Sequence, residues 1–163
     1  MTFSEIKQHL LSGDSVCQRY RGLAASASSK SALAEIISDS NGVEFLTQRI
    51  STDVEMDYAD VARVLGSHVN GKRVFQHDGY TSEIYCGYSG EIEARSTLLA
   101  VWGSDVDIYV PAGTMLEIDC DSRSSCTIFL EEGAFASCVH WGAKPAVKEG
   151  SLGMIKFVDK SNH

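Results

Sequence analysis

Three thiols and an imidazole crowd the last third of the chain, at Cys120, Cys126, Cys138 and His140. Their spacings of five, eleven and one intervening residues lack the close Cys pairs that structural zinc sites use. Packing as small apolar side chains accounts for them better. Cys120 and His140 alone would make a thiol–imidazole pair, in which the ring stabilises a thiolate nucleophile. No third orienting group or oxyanion turn accompanies them, so they stand as catalytic candidates with no reaction assigned. Asp105, Asp107, Asp119 and Asp121 border the Gly103-Ser104 turn and the turn from Ser122 to Ser125. Loop carboxylates of this kind hold hard cations, and paired carboxylates serve carbohydrate hydrolases and lyases. The EF-hand spacing and the glycine-aspartate calcium repeat are both missing, and solvated turn carboxylates are expected. Gly87, Gly90, Gly103 and Gly113 form no phosphate-loop signature. Neither a metal nor a cofactor is expected.

The elements that must position these residues divide at about residue 72. Thr2 and Glu5 have capping-box spacing ahead of Ile6, Leu10 and Leu11. Ser15 and Gln18 repeat that spacing. The run SASSKS is a linker by composition. Leu33, Ile36 and Ile37 mark one helical face ended by Asn41-Gly42, and Val61, Val64, Leu65 and Val69 mark another. Such short amphipathic helices must dock on each other or on the rest of the chain.

From Arg73 the period changes to two. The phrase IYVPAGTMLEI, Ile108 to Ile118, recurs as a copy beginning at Ile84, as IFLEEGAFASC from Ile128, and as a fainter copy around Val147, Gly150 and Leu152. The offsets on this alignment are 24, 20 and 17 residues. In the last three copies a glycine falls where a tight turn needs positive φ. Self-similarity at about 20 residues is the signature of a solenoid, because one coil cannot bury its apolar face alone. An antiparallel meander closing into a sandwich or barrel is the rival. The alignment places the cysteines in inward columns. It leaves outward an aromatic ladder of Tyr85, Tyr109 and Phe129, and an apolar stripe of Met115, Phe135 and Leu152. One stripe is expected to receive the helices, and the other marks a partner or self-association surface.

At the repeat, over roughly residues 80 to 157, the chain resembles short β-helices, among them bactofilin-like scaffolds and the β-helical parts of phage appendages. The front half, with SKSALAEIISDSNGVEFL, resembles small proteins of phages and mobile elements of gut bacteria. No functional residues carry over from either resemblance.

Composition bounds the rest. The formal charge of −8 argues against nucleic-acid binding, which needs clustered Lys and Arg. No run of 18 apolar residues is present to span a membrane, and the first residues show no secretory signal pattern. Five cysteines, an odd number at low density, suit a reducing cytoplasmic compartment. The expected architecture is α+β, with a helical unit at 1–72 packed on a β-solenoid at 73–163. The expected function is a non-enzymatic scaffold or protein-interaction module, oligomeric through self-association. The alternatives are an acidic inhibitor that occupies a basic protein surface, and a small carbohydrate hydrolase, lyase or thiol enzyme on a β-helix.

Overall fold

The computed structural model describes residues 1–12, 17–38, 41–42, 45–46, 48–49, 56, 58–65, 71–77 and 80–162. Helix α1 (Phe3–Leu11) opens on the expected capping box. The Glu5 amide donates to Thr2 Oγ1 at 3.3 Å, and the Thr2 amide donates to Glu5 Oε2 at 2.6 Å. Helix α2 (Gln18–Ser26) starts from Cys17 with no side-chain cap, and Ser15 lies outside the described residues. The SASSKS linker shrinks to three residues, because α2 runs through Ser26 and α3 (Lys30–Ala34) starts at Lys30 with Ser29 as its cap. A 3₁₀ turn (Glu35–Ser38) follows. Asn41 and Gly42 are themselves helical rather than a stop. Gly42 packs so closely on the Ile36 carbonyl that a Cβ would collide with it. The close approach explains that glycine better than a C-cap does. Helix α4 (Tyr58–Leu65) buries Val61, Val64 and Leu65; Val69 lies outside the described residues.

Among the described residues ten strands follow: β1 (Gly71–His77), β2 (Tyr80–Cys86), β3 (Ser89–Glu93), β4 (Leu98–Trp102), β5 (Asp105–Val110), β6 (Met115–Cys120), β7 (Ser125–Leu130), β8 (Phe135–His140), β9 (Ala146–Val147) and β10 (Met154–Asp159). They form two sheets. Sheet A has the order β1-β2-β4-β6-β8-β10, and sheet B has β3-β5-β7-β9. Every pairing is parallel except the β1–β2 hairpin. The chain is therefore α+β with a two-sheeted β-solenoid of four coils, and the antiparallel meander is excluded. The residues between paired His77 and Tyr80 are Asp78 and Gly79, a hairpin signal in the sequence.

The corners carry the repeat. Gly113, Gly133 and Gly150 have φ of 73°, 79° and 86°, as the recurring glycine requires. Each sits in the same turn, closed by Thr114 N to Pro111 O, Ala134 N to Glu131 O and Ser151 N to Lys148 O. The coil register corrects the alignment at both ends. Ile92, Ile108, Ile128 and Val147 are successive partners, so coils advance by 16, 20 and 19 residues. Only the middle offset of 20 stands. The last turn comes two residues early because β9 is cut to two residues, and Leu152-Gly153 make up the length before β10.

Two cores share sheet A. Inward side chains such as Val101, Ile108, Ile118 and Ile128 fill the solenoid. The outward side chains of the first coils, Ile84, Cys86, Leu98, Ala100 and Trp102, join Ile6, Leu10, Leu33 and Leu65 of the helices in a second cluster. Strand β4 is consequently buried at all five positions. No described helix is long and apolar enough to cross a membrane.

Candidate interaction surfaces

Sheet B holds its outer face open beside a groove of about 570 Å³. Period two on β3, β5 and β7 sends Ile92, Ile108 and Ile128 inward and Glu91, Asp107, Tyr109, Thr127 and Phe129 outward. Tyr109 and Phe129 are register partners, and their rings stack with centroids 5.6 Å apart and planes 6° from parallel. The Tyr109 hydroxyl donates to Glu131, whose other oxygen accepts from the Ala112 amide at 2.8 Å. That bond holds the Tyr109 hydroxyl above its usual pKa and, with the Ala112 amide, keeps Glu131 below the usual carboxylate range. Glu91 and Asp107 are neighbours on adjacent strands, a like-charge rung beside the rings.

Tyr85 does not belong to this ladder. It pairs with Val101 and is 5% exposed in the solenoid interior, edge-on to Tyr88 at 5.1 Å. Glu93 holds the rung above Tyr109 instead. The physical reason is the double burial of the first coils. The helices cover the outer face of β2, so Ile84 points outward and Tyr85 inward.

The apolar stripe lies on the outer face of sheet A. Met115 pairs with Phe135, and Phe135 with Met154. Met115 and Met154 are 73% and 69% exposed. Met154 is the third rung, and Leu152 sits exposed in the turn just before it. Met154 was legible from the alternation of MIKFVD once β10 is in register.

The chemical candidates lie elsewhere. Cys120 and Cys126 face each other across the interior with sulfurs 3.4 Å apart, and Cys138 hydrogen-bonds into the same group. These contacts, with burial, raise the Cys120 pKa well above the ordinary thiol value. Cys120 is therefore held as the protonated thiol, a poor nucleophile. His140 is Cys120's neighbour in register, but its Nδ1–H donates to the Gly142 carbonyl at 3.0 Å and its ring meets Phe157 edge-on. Asp105 and Asp107 are exposed on sheet B. Asp119 and Asp121, expected to be solvated, are buried at 1% and 2% exposure. Asp119 accepts from the Trp141 indole at 3.1 Å. Asp121 Oδ1 accepts from the Gly103 amide at 2.9 Å and from Ser124 Oγ at 2.5 Å, fastening one coil's corner to the next. Among the described residues, no group of three His, Cys, Asp or Glu is arranged to hold a metal ion.

Asp121 gives a pH-dependent expectation. Burial raises its pKa above the ordinary 3.8 despite the Ser124 and Gly103 hydrogen bonds. The unfolded chain releases this proton at lower pH than the folded protein does. Raising pH through the folded pKa therefore removes stability, and the loss is complete above it. Asp121→Asn lacks this step. The stability of wild type relative to the variant, from urea unfolding, is expected to fall from acid toward neutral pH; a flat or rising difference contradicts the assignment.

Comparison with protein-family models, with curated proteins and with solved structures gave no match. The likeness to short β-helices therefore rests on the coils alone.

Proposed function

We propose that this chain is a non-enzymatic protein-interaction scaffold that presents the outer faces of its solenoid and self-associates. The observation that carries the proposal is the Met115–Phe135–Met154 stripe with Leu152 beside it. Large apolar side chains stacked in register on an open sheet face mark a protein contact. Support also comes from the thiols and from Asp119 and Asp121, whose burial and hydrogen bonds give them packing and corner-fastening roles. Sedimentation velocity is expected to show concentration-dependent assembly, with lower mass for Phe135→Asp and Leu152→Asp. A wild type that stays monomeric at high concentration overturns the proposal.

A second reading is favoured by the sheet B groove, where Glu91 and Asp107 flank the stacked rings in a chain of net charge −8. There the protein would occupy a basic protein surface as an inhibitor does, with steering that weakens in salt. Calorimetric titration with a lysine-rich peptide, lost in Glu91→Gln/Asp107→Asn, distinguishes it from pure self-assembly.

A further inference from the structure

The outer face of sheet A has two parts. Over β2 and β4 the helices cover it, and Ile84, Ala100 and Trp102 pack into the helical cluster. Over β6, β8 and β10 it carries the apolar stripe, and its side chains fall into columns that cross the strands. One column is Met115, Phe135 and Met154. The next, two residues further along each strand, is Glu117, Ser137 and Lys156. Glu117 and Lys156 are exposed, and Ser137 is half-buried. This second column therefore runs from a carboxylate, through a small neutral side chain, to an ammonium.

We propose that this face packs on the same face of a second copy, about a two-fold axis that runs parallel to the strands and passes over β8. The inference rests on the self-association reading above and deepens it, by fixing how two copies are oriented and that they close as a dimer.

Charge and shape both select that axis. Rotation about the strand direction reverses the order of the coils and keeps each column opposite its own kind. Met115 then meets Met154 of the second copy, and Phe135 meets its own equivalent. Glu117 lies opposite the second copy's Lys156, and Lys156 opposite its Glu117, so an ion pair stands on each side of the facing Ser137 side chains. An axis along the Glu117–Ser137–Lys156 column would instead keep coil opposite coil. Carboxylate would then face carboxylate and ammonium would face ammonium. The two helical layers would also meet. Each is about 10 Å thick, and together they would prop open faces that must come within about 10 Å to pack. Exposed ion pairs add little affinity, so here they set the orientation while the apolar column supplies the contact. A carboxylate accepts from several donors at once, so the contact that Glu117 makes within its own chain leaves room for the lysine. The arrangement is isologous and closes at two copies.

Charge reversal and cross-linking test it, with circular dichroism checking the fold of each variant. In sedimentation velocity, Glu117→Lys sets lysine against lysine twice and is expected to weaken the dimer about tenfold. Lys156→Glu does the same with carboxylates. Glu117→Lys/Lys156→Glu restores both pairs and is expected to recover wild-type affinity. In a Cys17→Ser background, which removes the exposed thiol, Ser137→Cys is expected to give a disulfide-linked dimer under copper-catalysed air oxidation. Met115→Cys is expected to link to Met154→Cys when the two proteins are mixed, and not to itself. A dimer that Phe135→Asp breaks but both single reversals leave unchanged overturns the orientation and leaves the scaffold reading standing. So does Met115→Cys linking to itself, or an assembly that grows past two copies with concentration. A wild type that is monomeric at every concentration overturns both.

Discussion

Trp102→Ala is expected to cost about 3–5 kcal/mol. Trp102 is fully buried at the end of β4, and it belongs to the cluster that the helices share with the outer face of sheet A. Its inward neighbour on the same strand, Val101, belongs to the solenoid core instead. Removing the indole therefore empties the helix-to-sheet layer and leaves the solenoid interior filled. The loss is expected to be local. Short helices such as α1 and α4 do not persist without docking, so their amides should exchange with solvent faster while β5 to β8 keep their protection. Hydrogen exchange with urea unfolding measures both. A cost below about 1 kcal/mol, against the figure for buried aromatics, or exchange that rises in β5 to β8 before the helices, would show that the helical layer is not held by this side chain.

That double burial also decides how much of the fold could be read from the sequence. The corner glycines were legible because positive φ excludes most other residues, and Gly113, Gly133 and Gly150 all sit in the same turn. The 20-residue step from Ile108 to Ile128 was legible because one face of those strands is polar, which marks the parity. In β4 both faces are apolar, one toward the solenoid and one toward the helices, and the Ile84-Tyr85-Cys86 end of β2 is buried on both faces in the same way. Alternation then carries no information about which side is which, and Ile84 was aligned with Ile108 when its partner is Ala100. Tyr85 followed the same shift from the interior onto a surface. Asp119 and Asp121 show a different limit. Composition says that a turn aspartate is solvated, while the Trp141 indole and the Gly103 amide that bury these two come from other coils. Partners 18 to 22 residues away leave no local trace.

Ile118→Ala is expected to cost roughly 2–5 kcal/mol. The side chain is fully buried in the solenoid interior, and its register partners are Leu99 on one side and Cys138 on the other. Both partners belong to strands hydrogen-bonded to β6, so neither can move in to fill the space without breaking ladder bonds. The cavity should stay open, which places the cost toward the upper part of that range. Glu117→Ala, one residue earlier and exposed on the outer face, should change stability by no more than about 0.5 kcal/mol. The contrast between the two isolates parity, because a one-residue slip would exchange their environments. Urea midpoints measured for both variants at one slope decide the matter. A large loss at Glu117 with little at Ile118 would turn β6 over, and with it the inward placement of Cys120 and the outward placement of Met115 on which the interaction surface depends.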